Sequence, residues 1–162
     1  MKKTIFITGA AKRIGKEIAL CFSEMGWNII IHYNSSKNDA QVLADEINGT
    51  NPDSAITVQG NLDVKEDVEK VINEVRDAFP TIDLLINNAS TFYPTPIEDI
   101  SEEHWDKLVG SNLKGPLFLI KGLKDKLKES KGSIINITDT NLSKGVANYS
   151  IYSAAKAGLE SI

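Results

Sequence analysis

The chain has 162 residues, enough for about one domain with a sizeable buried core. Its hydrophobic fraction of 41% and charged fraction of 25% exclude a disordered chain. A formal net charge of −4 argues against a nucleic acid or an anionic membrane surface as partner.

Cys21 is the only cysteine, so no intrachain disulfide can form, and a reducing cytoplasm is the expected compartment. The opening "MKKTIFITGAAKR" mimics a secretory signal, but its apolar run is too short and Lys12 and Arg13 follow at once. "GPLFLIKGL" is interrupted by Lys121, so no membrane span is expected. Lys121, Lys124, Lys126 and Lys128 form a solvated helix face broken by Asp125 and Glu129.

In chain order, "KTIFITG" reads as a first strand. "AKRIGKEIALCFSEMG" follows as a helix, with Ile14, Ile18, Cys21 and Phe22 at helical spacing and Gly26 as its stop. "WNIIIHY" is a second strand, "KNDAQVLADEIN" a helix and "SAITVQGNL" a third strand. "EDVEKVINEVRDAF" is a helix with Val68, Val71, Ile72 and Val75 on one face, and "IDLLINNAS" is strand four. A long helix starts at the capping signal from Ser101 to Glu103 and His104, with a distortion expected near Gly115 and Pro116. "GSIINITD" is strand five, and a last helix carries Tyr152 and Lys156. Five strands alternating with helices predict an α/β chain built on a parallel sheet covered on both faces.

"TGAAKRIG" sits at the first strand-to-helix turn, where a mononucleotide-binding fold holds phosphate. Gly9 suits the tight turn, and Gly15 lets the following helix approach the sheet or a pyrophosphate. The helix N-terminus offers unpaired N–H groups and a positive dipole end. The middle glycine of the common dinucleotide pattern is absent, and Arg13 stands in its place beside Lys12. After strand two, an acidic residue would bind the ribose diol of NAD. Here Tyr33, Asn34, Ser35, Ser36 and Lys37 stand instead, all compatible with a 2′-phosphate, which favours NADPH over NADH. His32 is read as a packed strand residue.

Tyr152 and Lys156 lie one helical turn apart, so both can face one cleft. A nearby ammonium is expected to lower the phenol pKa and ready it for proton exchange.

Together "TGAAKRIG", "NNAS", "SNLKGP", "IINITD" and "YSAAK" resemble, in order and spacing, the short-chain dehydrogenase/reductase family. The resemblance covers essentially the whole chain. It implies a Rossmann-type doubly wound parallel sheet in the order 3-2-1-4-5, with catalytic roles for Asn112, Tyr152 and Lys156. Gly9, Arg13, Ile14, Gly15, Tyr33, Asn34 and Ser35 would hold the cofactor, with Tyr152 and Lys156 at its nicotinamide end. Asn88, Ala89 and Ser90 would line the cleft after strand four. Asn61 and Leu62 would approach the adenine, with Asp63 and Val64 as the alternative register.

The family's usual catalytic serine is replaced by Asp139, thirteen residues before Tyr152. A carboxylate cannot donate a neutral hydroxyl hydrogen bond, but it can relay a proton or pair with an amine-bearing heterocycle. With Arg13 and "NNASTFYPTP", Asp139 makes the chain similar to the pteridine reductase branch. That similarity implies an NADPH-dependent reduction of a pterin, dihydropterin or folate-like ring. Phe92 would stack on the substrate, with Ser90, Asp139 and Tyr152 beside it, and no metal would take part. The alternative for "TFYP" is loop packing. A general carbonyl or 3-oxoacyl reductase is the alternative enzyme, and a catalytically silent nucleotide-binding module the alternative of another class.

Family members continue beyond "GLESI" with further strands. One NADP-binding domain over residues 1–162, incomplete at its C-terminus, is therefore the expectation. In it the fifth strand's edge and the apolar residues Leu159 and Ile162 would lack cover. The full-length form is expected to be a homo-oligomer, with a second chain as another source of the missing wall.

Overall fold

The computed structural model describes residues 2–162. Strands β1 (Thr4–Ile7), β2 (Asn28–Tyr33), β3 (Ala55–Gln59), β4 (Leu84–Asn87) and β5 (Ser133–Asn136) form one parallel sheet ordered β3-β2-β1-β4-β5. This is the α/β Rossmann-type order expected from the sequence. The central strand β1 pairs with β2 and β4, so that Ile7 lies beside both Ile31 and Ile86. Every residue of β1, β2 and β4 is buried, because helices cover both faces of a parallel sheet.

The two-residue period of the strands divides the core. Ile5, Ile7, Ile29 and Ile31 pack on one face against α1 (Arg13–Glu24) and α2 (Lys37–Thr50). Phe6, Ile30 and Leu85 point the other way, onto α3 (Lys65–Ala78) and α5 (Gly115–Ser130). Each such side chain contributes roughly 1.5–3 kcal/mol by leaving water.

The expected apolar stripe of α1 is corrected by the structure. Its buried residues are Gly15, Ala19 and Ser23, with Ile18 and Phe22 partly covered, whereas Ile14 and Cys21 are exposed. Small residues face the sheet because the helix start must approach the end of β1 closely. On α3 the expected face holds, with Val68, Val71 and Val75 buried and Ile72 partly so.

The long helix is three pieces: α4 (Glu102–Val109), a π-helical turn (Gly110–Lys114) and α5. Ser101 caps α4 by accepting from the His104 N–H at 3.2 Å. The distortion precedes the expected Gly115 and Pro116. Pro116 has no N–H to give to the Asn112 carbonyl, and the Gly115 N–H reaches back to the Gly110 carbonyl.

The last helix, α6 (Ser150–Glu160), packs on α4 and the π-helical turn. It buries Leu159 to 1% exposure, which corrects the expectation that this residue lacks cover, while Ile162 is half exposed. In β5, Ile134 and Ile135 are 40% and 44% exposed, so the edge expected to be open is open among the described residues.

Candidate cofactor and catalytic site

The turn after β1 is held from three sides. Gly9 has φ +62°, and a Cβ there would meet the Ala89 Cα at 2.9 Å. A Cβ on Gly15 would lie 2.6 Å from the Gly9 carbonyl oxygen and 2.7 Å from Asn88 Nδ2. Asn88 Nδ2 donates to the Thr8 and Gly9 carbonyls at 2.9 and 3.1 Å. The Thr8 hydroxyl oxygen accepts from the Asn88 and Ala89 N–H groups at 2.9 and 3.0 Å.

His32 closes the third side. The Gly9 N–H donates to its Nδ1 at 3.1 Å, and Nε2 lies 3.0 Å from the Gly60 carbonyl. Nδ1 must therefore be the unprotonated nitrogen and Nε2 the donor. Burial lowers the pKa of His32 to about 4, against the opposing pull of the Gly60 carbonyl.

Arg13, in the place of the missing glycine, has φ +53°. The backbone keeps the left-handed turn a glycine would make, at a cost of about 1–2 kcal/mol, and gains a cation. Lys12 is paired with Asp39 at 3.0 Å.

These residues open onto a cleft of about 420 Å³ at the carboxyl ends of the strands, where ligands of open parallel sheets bind. Gly9, Arg13, Ile14, Gly15, Asn34, Asn61 and Leu62 line one part of it. Asn88, Ala89, Ser90, Tyr152 and Lys156 line the other. Asp63 joins Asn61 and Leu62 on the wall, so the favoured register and half of its alternative meet there; Val64 does not line it. Tyr33 is a correction. Its ring is packed in the core against the α1 and α2 face, because its position in β2 points it away from the cleft. Ser35 is exposed beside Asn34 but outside the lining.

The catalytic candidates meet at the other end. Tyr152, 6% exposed, donates its hydroxyl to Asp139 Oδ2 at 3.1 Å. Asp139 Oδ1 also accepts from the Asn141 N–H at 2.7 Å and from Asn141 Nδ2 at 3.1 Å. That backbone bond, ahead of the Tyr152 and Lys156 contributions, holds the Asp139 carboxyl below the usual range, although partial burial opposes it. Burial first, then the Asp139 hydrogen bond and charge, push Tyr152 up to about 12; a hydrogen bond from Ser90 opposes them. The expectation that Lys156 lowers this phenol is thereby corrected. Lys156 is 2% exposed, donates to the Ile137 carbonyl at 2.8 Å, and is lowered to about 8 by burial, with Asp139 opposing. Tyr152 therefore holds its proton at neutral pH, as a donor should.

Asn112 is fully buried and does not line the cleft. Its Nδ2 donates to the Thr91 and Leu108 carbonyls at 2.8 and 2.9 Å, and its Oδ1 accepts from the Ser90 hydroxyl at 2.8 Å. It fixes the loop after β4, so its action on the chemistry runs through Ser90. Phe92 also lies outside the lining, with 57% of its surface exposed, stacked on Tyr149 and edge-on to Tyr152.

Thr91, Ser111, Ile137 and Thr138 line the cleft without having been expected there. Ile137 and Thr138 follow β5 directly, and the rule placing ligands at strand carboxyl ends could have found them. Ser111 opens the stretch "SNLKGP" without a role expected of it, and the π-helical turn puts it on the cleft. Among the described residues, no helix is long and apolar enough to cross a membrane, and no group of three metal-ligating side chains converges.

A profile of the short chain dehydrogenase family matches residues 3–162. The 3-oxoacyl-(acyl-carrier-protein) reductase of Staphylococcus epidermidis is 32% identical over 160 residues, covering 98% of this chain and 65% of that protein. Pteridine reductase 1 of Leishmania tarentolae is 32% identical over 196 aligned residues, covering 96% of this chain and 67% of that protein. An NAD-dependent glycerol dehydrogenase of Listeria innocua is 32% identical over 161 residues, covering 99% of this chain and 61% of that protein. The chain thus spans about 65% of the length of the curated 3-oxoacyl reductases it matches. With the strand order, the turn after β1 and the Tyr152–Lys156 pair on one cleft, the match places this chain in the short chain dehydrogenase family.

Proposed function

We propose that residues 1–162 form an NADP-binding unit of a reductase acting on a pterin, dihydropterin or folate-like ring. The observation that supports this reading is the 3.1 Å hydrogen bond from Tyr152 to Asp139, the carboxylate that the sequence carries where the family usually has a serine. The residues present fit a dinucleotide. Gly9, Gly15 and Arg13 line the cleft at the start of α1, where the helix end and a cation meet phosphate. When bound, NADPH would supply hydride to an electron-poor ring carbon. The chain's own part is to deliver the proton. Tyr152 gives up its Oη proton to the ring nitrogen, while the Ser90 hydroxyl on the same cleft keeps its hydrogen bond to Asn112 Oδ1. Asp139, which does not itself line the cleft, orients the phenol and would pair with an exocyclic amine of the heterocycle. Lys156, held by its 2.8 Å hydrogen bond to the Ile137 carbonyl, would hydrogen-bond the nicotinamide ribose.

A second reading is a 3-oxoacyl or general carbonyl reductase, favoured by the 98% coverage of this chain by 3-oxoacyl reductases. There Tyr152 would protonate a carbonyl oxygen and Asp139 would have no amine to meet. Comparing dihydropterin with an acetoacetyl thioester under NADPH separates the two. In Asp139→Ser, pterin turnover falls by at least ten-fold while NADPH affinity holds; a gain in pterin turnover would sink the first reading.

A further inference from the structure

We infer that Tyr149 is a positioning residue that backs Phe92 and gives the substrate side its preference for flat rings. The inference rests on the pterin reading above. Phe92 and Tyr149 lie with ring centroids 4.4 Å apart and planes 14° from parallel. The Tyr152 ring meets Phe92 edge-on at 4.8 Å and 75°. Phe92 is nevertheless 57% exposed, so Tyr149 and Tyr152 hold the ring while leaving more than half of it free. An aromatic ring set in this way is a ready stacking platform.

The backbone holds the arrangement together. The Thr95 N–H donates to the Asn148 carbonyl at 2.6 Å, tying the loop that bears Phe92 to the residue before Tyr149. Asn148 has φ +65°, which turns the chain into α6, and the Ser153 N–H donates to the Tyr149 carbonyl at 2.8 Å. Tyr149 packs beside the buried cluster of Leu108, Ile151 and Tyr152. The ring behind Phe92 and the proton donor therefore sit on one frame, with Tyr149 at the N-cap of α6 and Tyr152 three residues on. A loose phenylalanine would pay rotamer entropy to stack on a ligand; one already clamped does not.

The test measures biopterin and dihydropterin binding to the NADP-loaded chain, together with KM and kcat, in wild type, Tyr149→Ala and Tyr149→Phe. Tyr149→Ala weakens ring binding and raises KM by about three- to ten-fold, with kcat changed far less and NADP affinity retained. Tyr149→Phe restores the wild-type KM, because stacking needs the ring and not the hydroxyl. Proton spectra of Phe92 give a ligand-free readout: its ring signals lose their upfield shift in Tyr149→Ala. Equal pterin affinity in wild type and Tyr149→Ala, or Phe92 signals that do not move, overturns the role of Tyr149 alone. A wild-type chain that binds NADP and no pterin overturns the pterin reading and this inference with it.

Discussion

Two residues carry opposite kinds of cost. Arg13 holds a left-handed φ of +53° that glycine would adopt freely. Replacing Arg13 by Gly removes that strain, so the melting temperature should hold or rise slightly, whereas most helix-to-glycine changes lower it. Affinity for both NADPH and NADH should fall by about ten-fold, since the lost group is a charge-assisted phosphate donor. Calorimetry with both nucleotides checks this, and an unchanged affinity for both would mean that Arg13 holds no phosphate. At Tyr152 the cost is electrostatic. Burial and Asp139 raise its pKa to about 12, so removing the carboxylate must move it down. In Asp139→Asn, a carbon-13 label on the tyrosine Cζ atoms should show Tyr152 titrating closer to the ordinary value of about 10. An upward move would mean that Asp139 is not what holds the proton.

At the scale of elements, the turn after β1 depends on one neutral histidine. His32 has a folded pKa of about 4, below its ordinary 6.5. Between those values the unfolded chain binds a proton that the folded chain does not, so stability rises with pH through this window. The contribution, about 3 kcal/mol when complete, is full above pH 6.5 and lost as pH falls toward 4. Urea melts from pH 7 to 4.5 should show this fall, and the slope should flatten in His32→Gln. Gly15→Ala tests the other support. With 2.6 Å to the Gly9 carbonyl, an added Cβ must push α1 off the sheet, lowering both melting temperature and nucleotide affinity.

Over the whole molecule, the sheet is protected unevenly. β1, β2 and β4 are buried along their length, whereas Ile134 and Ile135 of β5 are 40% and 44% exposed. An apolar edge strand recruits other chains, so Ile135→Lys should reduce self-association of the 162-residue chain, read by light scattering against concentration. Unchanged scattering would show that β5 is not the associating edge.

The sequence by itself determined the alternation of strands and helices, the parallel sheet and the glycine turn. Those rest on local periodicity and on backbone conformations that only certain residues tolerate. It also brought Tyr152 and Lys156 to notice through their helical spacing, and Asp139 through the family resemblance. What only the tertiary structure decided is where side chains go once elements pack. Tyr33 turns into the core while His32 beside it holds the turn after β1. The buried stripe of α1 is made of small residues, which carry no hydrophobic signal. Asn112 is spent on the loop after β4, in a π-helical turn whose distortion Pro116 announced but whose inward side chains it did not. Tyr152 is raised and not lowered, because its burial and its distance to a carboxylate depend on contacts between residues far apart in the chain, and sequence spacing does not encode these.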